Sequence, residues 1–245
     1  MAGNTNIKEA IMGKLDGKVA IITGASSGIG RATAYAFAQE GCSLVLTARR
    51  EGRLKEVQEA CEKLGTAVSV YIGDVRKEQT VAGTVDLAVR QYGKVDILVN
   101  NAGIGKLLSL QDSTMEDYDL IMDTNIRSTF MFSKYASADM LKRGSGQIVM
   151  VSSVTGHIGH EDETIYTMTK FAQRGLAQAI DKELRKCGIK VCTICPSATK
   201  TEFEVGFGRT VEGVAASNWE TAEDVAKGIL YACCAENTVW EIRMR

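Results

Sequence analysis

The sequence predicts an α/β fold: a single doubly wound domain with a seven-stranded parallel sheet and helices on both faces. Three observations lead there. Short apolar runs alternate with helix-length segments along nearly the whole chain. Several of these runs are continuously apolar, as strands covered on both faces must be. Chain reversal rests on 24 glycines, because the only proline is Pro196. Nothing resembling a linker, repeat or low-complexity stretch breaks the alternation, so residues 1–245 read as one domain with an N-terminal extension over 1–14.

The expected strands are Val19–Thr23, Ser43–Ala48, Ala67–Ile72, Val95–Val99, Ile148–Ser152, Ile189–Cys195 and Val239–Met244. In the first helix Ile29, Ala32, Thr33, Ala36 and Phe37 keep the spacing of one helical face, and Gly41 closes it. A second opens at Ser113 with Glu116 as a capping box and extends to Arg143. A third covers Ile165–Lys186, and Thr221 with Asp224 caps the last, ahead of Cys233. The stretch 197–217 carries little periodicity and reads as a substrate lid, since loops of that length in compact domains tend to be functional.

Charge narrows the class. With 29 basic and 30 acidic residues the net charge is −1, which disfavours nucleic-acid binding. No apolar run has the length of a membrane span, and residues 1–15 lack the apolar stretch of a secretory signal. Seven cysteines, an odd number in a chain that needs no staples, point to a reducing, cytoplasmic setting. Cys187, Cys192 and Cys195 have the spacing that begins an iron–sulfur run, with Cys233 as a fourth candidate. Strand geometry would put Cys192 and Cys195 on opposite faces, so the thiols read as small buried side chains.

Chemistry concentrates where strands end. Between the first strand and first helix lies Thr23-Gly-Ala-Ser-Ser-Gly-Ile-Gly30. Gly24 permits the tight turn, Gly28 lets backbone approach a pyrophosphate, and Gly30 allows close helix–strand packing. The helix start then offers free N–H groups to phosphate. At the end of the second strand, where a carboxylate would accept from a ribose 2′-OH, stand Ala48, Arg49 and Arg50. A guanidinium fork suits a 2′-phosphate, which favours NADP over NAD. Asn100–Gly103, Ser152–Ser153 and Cys195–Ser197 follow the fourth, fifth and sixth strands, on the edge where open α/β sheets bind ligands. Tyr166 and Lys170 are one turn apart on a helix, so an ammonium can favour the phenolate and fit Tyr166 for proton transfer.

Taken together, these residues resemble the short-chain dehydrogenase/reductase family, whose domain is of the Rossmann type, from about Leu15 to the C-terminus. The glycine motif, Asp74, Asn100–Gly103, Asn125, Ser153, Tyr166 and Lys170 match in order and spacing. Ser153 precedes Tyr166 by the family's usual 13 residues. The resemblance implies that Tyr166 exchanges the proton of the carbonyl or alcohol oxygen and that Ser153 polarises that oxygen. Lys170 would bind the nicotinamide ribose, and Asn125 would hold a water that relays protons through Lys170. Asp74 would contact adenine, Asn101 would line the cofactor, and Thr201 would bind the carboxamide. Ser26, Ser27, Ile29, Arg50, Val75, Ala102, Gly103 and Pro196 complete the expected cofactor contacts.

Two departures from the family pattern stand out. Ser197 replaces the glycine usual after Pro196, which becomes a hinge between sheet and lid. The end, Asn237–Arg245, lacks the glycine-rich tail of 3-oxoacyl thioester reductases. His157 and His160 with Glu161–Glu163 sit on a loop without fixed ligand geometry and are not read as a metal site, although His157 is placed to face substrate. The expectation is an NADP-dependent oxidoreductase interconverting a ketone and a secondary alcohol, assembled as a homotetramer or dimer. The long helices from Ser113 and Ile165 are the expected interfaces. The alternatives are a hydroxysteroid dehydrogenase, with Phe203, Val205 and Phe207 shaping its pocket, a 3-oxoacyl thioester reductase, and a non-catalytic NADP-sensing protein.

Overall fold

Apolar periodicity places seven strands in one parallel sheet of order β3-β2-β1-β4-β5-β6-β9 in the computed structural model, which describes residues 13–244. Residues 1–12 of the expected N-terminal extension lie outside the described residues. The sheet strands are β1 (Val19–Thr23), β2 (Ser43–Ala48), β3 (Val68–Ile72), β4 (Ile97–Asn100), β5 (Gly146–Val151), β6 (Ile189–Cys195) and β9 (Glu241–Arg243). β1, β2 and β6 coincide with the expected strands. β4 starts later than expected because the Asp96 carboxylate accepts from the Val19 N–H and is also paired with Lys94 and Arg143.

Alternation sends successive side chains to opposite faces, and both are buried. From β1, Ala20 and Ile22 join one core with Leu44, Leu46, Val149 and Ile194, while Val19 and Ile21 join the other with Val45, Leu98 and Ile148. Helices α1 (Gly28–Gln39), α2 (Glu51–Glu62) and α8 (Ala222–Cys234) cover the first face through Phe37, Leu54 and Ile229. Helices α3 (Glu78–Tyr92), α5 (Ser128–Arg143) and α6 (Thr164–Leu184) cover the second through Val81, Phe132 and Ala177. Truncating fully buried Phe37 or Phe132 to alanine would cost about 3–5 kcal/mol. Among the described residues no helix is long and apolar enough to cross a membrane.

The second expected helix differs in two ways. Helix α4 (Met115–Met122) is capped by Thr114, not Ser113: Thr114 Oγ1 accepts from the Asp117 N–H at 3.1 Å and Asp117 returns the bond. Ser113 Oγ instead donates to the Ser109 carbonyl, and so leaves the cap to its neighbour. A π turn over Asp123–Arg127 then separates α4 from α5. There Ser128 N–H reaches back five residues to the Asp123 carbonyl, a spacing often found at functional sites. The Thr221–Asp224 capping box of α8 is formed as expected.

The lid is more ordered than its sequence predicts. A short parallel pair, β7 (Thr199–Lys200) with β8 (Glu220–Thr221), ties its two ends, and helix α7 (Val211–Ala216) lies within it. Its apolar pattern spans fewer than two turns, too short to stand out as periodicity.

Candidate active site

Where β1 ends, the glycine turn is held by backbone geometry. Gly24 has φ +66° and Gly28 φ +51°, both left-handed values that favour glycine. A Cβ on Gly30 would come within 2.5 Å of the Gly24 carbonyl oxygen. Thr23 Oγ1 accepts from the N–H groups of Asn101 and Ala102, at 3.0 and 2.9 Å, and Asn101 Nδ2 donates to the Thr23 carbonyl. Asn101 therefore ties the β1 and β4 turns together. Helix α1 starts without a side-chain cap or an acidic residue in its first turn, unlike α4 and α8. Its first N–H groups and positive dipole end are thus available to an anion.

At the ends of β2 and β3, Arg49 and Arg50 are exposed and Asp74 is partly buried. Arg50 donates to Ser27 Oγ at 2.6 Å and to Ser26 Oγ, and it pairs with Glu202 of the lid at 2.8 Å. Arg53 also pairs with Glu202. Hydrogen bonds from Arg76 hold the Asp74 carboxyl below the usual carboxylate range.

One cavity of about 1300 Å³ joins this region to the ends of β5 and β6. All the expected site residues line it except Gly30 and Asn125. Gly30 packs behind the turn, and Asn125 is fully buried in the π turn. Asn125 Oδ1 accepts from the Ile104 N–H, and its Nδ2 donates to the Ile104 carbonyl and to Thr169 Oγ1. The side chain thereby pins the loop after β4 to α6.

Tyr166 and Lys170 are both buried, with the Lys170 ammonium 5.3 Å from the centroid of the Tyr166 ring. Burial pushes the Tyr166 phenol above its ordinary range; the Glu204 carboxylate adds to this and the Ser153 hydroxyl opposes it. Burial pulls the Lys170 ammonium down to about 8. Lys170 Nζ donates to the Val151 carbonyl at 3.0 Å and to Gln173 Oε1 at 2.9 Å. Phe203 of the lid lies against Tyr166, with ring centroids 5.5 Å apart.

Sequence reasoning missed four groups here. Gln173, Glu163, Glu204 and Arg209 stand in or against the site; Gln173 has a signal in its i+3 spacing from Lys170, and Glu163 stands out in the sequence only as part of the acidic loop after His160. Glu204 adopts φ +62°, uncommon outside glycine. Its buried carboxyl, pushed up to about 7 by burial, is paired with Arg209 at 3.1 Å. The Ser197 hydroxyl donates to Glu220 at 3.4 Å, giving the residue in place of glycine a bond within the lid base.

His157 departs from expectation. It faces β9, with Nε2 3.1 Å from Glu241, because the first strand residue there supplies a carboxylate; His160 lines the cavity instead. Cys195 completes a cluster with His157 and Glu241 whose potential ligand atoms lie within 4.8 Å of one another. Arg174 holds the other Glu241 oxygen at 3.0 Å.

Residues 18–211 match the sequence profile described as short chain dehydrogenase. An uncharacterized oxidoreductase of Thermotoga maritima is 35% identical over 233 residues, covering 90% of this chain and 91% of that protein. The crystal structure of an NAD+-bound xylitol dehydrogenase superposes with a TM-score of 0.84 at 26% identity, covering 94% of this chain and 98% of the other. An alcohol dehydrogenase from the archaeon Thermococcus sibiricus, complexed with 5-hydroxy-NADP, gives the same TM-score and identity over 93% of this chain and 96% of its own.

Proposed function

The chain belongs to the short-chain dehydrogenase family of oxidoreductases, and from that premise we propose that it interconverts a ketone and a secondary alcohol with NADP(H), using Tyr166 as the acid/base. The observation that carries this reading is the meeting, in one cavity, of the buried Tyr166–Lys170 pair with Ser153 and the uncapped glycine turn.

The cleft fits a dinucleotide because the glycine turn lines the cavity and leads into the uncapped start of α1, whose N–H groups are free for a pyrophosphate. The turn from Gly24 to Gly30, with Ser26, Ser27 and Ile29, would hold the pyrophosphate. Asp74 and Val75 would face adenine, and Ala102, Gly103, Lys170, Pro196 and Thr201 the nicotinamide half. Arg49 and Arg50 favour NADP, since the end of β2 offers two guanidinium groups to a 2′-phosphate and no carboxylate to a 2′-OH. When bound, the nicotinamide gives or accepts the hydride.

The protein manages the proton. Burial keeps the Tyr166 phenol protonated in the free site, ready to donate to a carbonyl oxygen during reduction. Ser153 would hydrogen-bond the same oxygen. Lys170, charged below about pH 8, would favour the phenolate left behind. Phe203, Phe207 and Val211 of the lid supply an apolar wall for a small to medium carbonyl compound. Exposed Phe130 on α5 and Met168 and Phe171 on α6 support assembly through those helices into a homo-oligomer, which sedimentation would test.

The deciding experiment follows NADPH and NADH oxidation across a panel of ketones, keto acids and steroids. NADPH consumption that depends on a carbonyl compound is expected; consumption by none of them would sink the reading.

A further inference from the structure

Lys170 is held by a side chain on the face turned away from the cavity. Gln173, one turn along α6 and 1% exposed, accepts from Lys170 Nζ through Oε1 at 2.9 Å. Its Nε2 donates to the main-chain carbonyl of Asn125 at 2.9 Å and to Thr129 Oγ1 at 3.3 Å. The amide cannot be turned over, because Lys170 can only donate and the Asn125 carbonyl can only accept. Thr129 Oγ1 also donates to that carbonyl, at 2.7 Å, so the Asn125 oxygen carries two side-chain donors. This buried carbonyl belongs to the π turn between α4 and α5.

We propose that Gln173 is a positioning residue: it bridges the Lys170 ammonium to the Asn125 carbonyl, fixes the ammonium against the π turn, and leaves the lysine one donor for the cavity. Two of the three ammonium hydrogens go to Val151 and Gln173. The third is left for the cavity side, where Tyr166 stands.

The groups facing Lys170 are few. Tyr166 lies on the same helix, Cys195 comes from β6, and Glu204 from the lid; Cys195 and Glu204 as anions would favour the ammonium. β5 offers only the Val151 carbonyl, and the π turn and α5 offer Asn125 and Thr129, none of them titratable. Among the described residues on that side, Gln173 is the side chain bonded to the Lys170 ammonium, so a change of charge there acts on it directly.

This role rests on the oxidoreductase reading above, and the test separates the two. Lysine ammonium NMR on the full chain, without cofactor or substrate, reads the titration of Lys170. Gln173→Leu removes an acceptor and should move it down by about one pH unit, while Gln173→Glu supplies a carboxylate and should move it up by at least about as much. With NADPH and a carbonyl substrate, Gln173→Leu should lower kcat about tenfold at unchanged KM, and the basic limb of the profile should follow the NMR shifts. Opposite shifts in the two variants support the bridge. Unmoved titration in both overturns it, even in an active enzyme. Opposite shifts in a protein that reduces nothing uphold the bridge and overturn the oxidoreductase reading. Should Gln173→Leu fail to fold, Gln173→Glu against the wild type decides alone.

Discussion

The two ends of the cleft use charge in opposite ways. At the glycine-turn end, Arg50 and Glu202 form an ion pair with side chains 45% and 53% exposed. At the lid end, Arg209 meets a Glu204 side chain with no exposure, and the ammonium of Lys170 is buried beside a buried phenol. An exposed pair is screened by water and contributes about 0–1 kcal/mol, so a ligand phosphate can take Glu202's place at Arg50 at little cost. Buried groups are not screened, and their acidities shift: Glu204 up to about 7, Lys170 down to about 8. One end carries charge screened by solvent, the other carries groups whose proton affinities burial has shifted.

The contrast is sharpened first by Tyr166→Phe. Loss of the acid/base at the buried end should reduce turnover by about 10²–10⁴-fold, while the dissociation constant for NADPH, read by fluorescence titration, stays within about twofold. Equal losses of both would show that the two ends are not separable.

The exposed end is tested by Arg49→Asp. Removing a guanidinium from the 2′-phosphate and adding a carboxylate should cut kcat/KM with NADPH by about 10–100-fold and raise it with NADH. The ratio of the two cofactors is the measurement. An unchanged ratio would take cofactor choice away from the end of β2.

The smallest effect tests burial itself. Glu204 binds its proton more tightly in the folded chain than in the unfolded one, since its folded value is raised to about 7. That stabilisation is fully present below the ordinary carboxylate range and is lost as pH rises toward 7, above which the fold carries a buried anion. Glu204→Gln should therefore leave Tm nearly unchanged at pH 5 and raise it by a few degrees at pH 8, on the order of 1–2 kcal/mol. A gain independent of pH would mean that the carboxyl is not the strained group.

Legibility in the sequence divides along the same line as the cleft. Strands β1, β2 and β6 are readable because each is an apolar run whose both faces are buried, and the glycine turn because only backbone shape is needed there. Helical spacing alone does not single out the Tyr166–Lys170 pair; it becomes readable together with the glycine turn, Asn125 and Ser153. The capping box moved by one residue because Ser113 found a nearer partner in Ser109, a choice between two adjacent hydroxyls that spacing cannot make. His157 turned toward Glu241, a residue 84 positions away on the edge strand.

The sequence by itself determined the sheet, the glycine turn and the one-turn spacing of Tyr166 and Lys170, because those follow from local periodicity and short-range spacing. Only the tertiary structure decided what stands behind the pair. The Asn125 carbonyl, Gln173 and Lys170 meet across a π turn and a separate helix, and Glu204 reaches the site from a lid with a left-handed backbone. Contacts between segments far apart in the chain depend on how the layers pack, and packing is the property that local pattern does not encode.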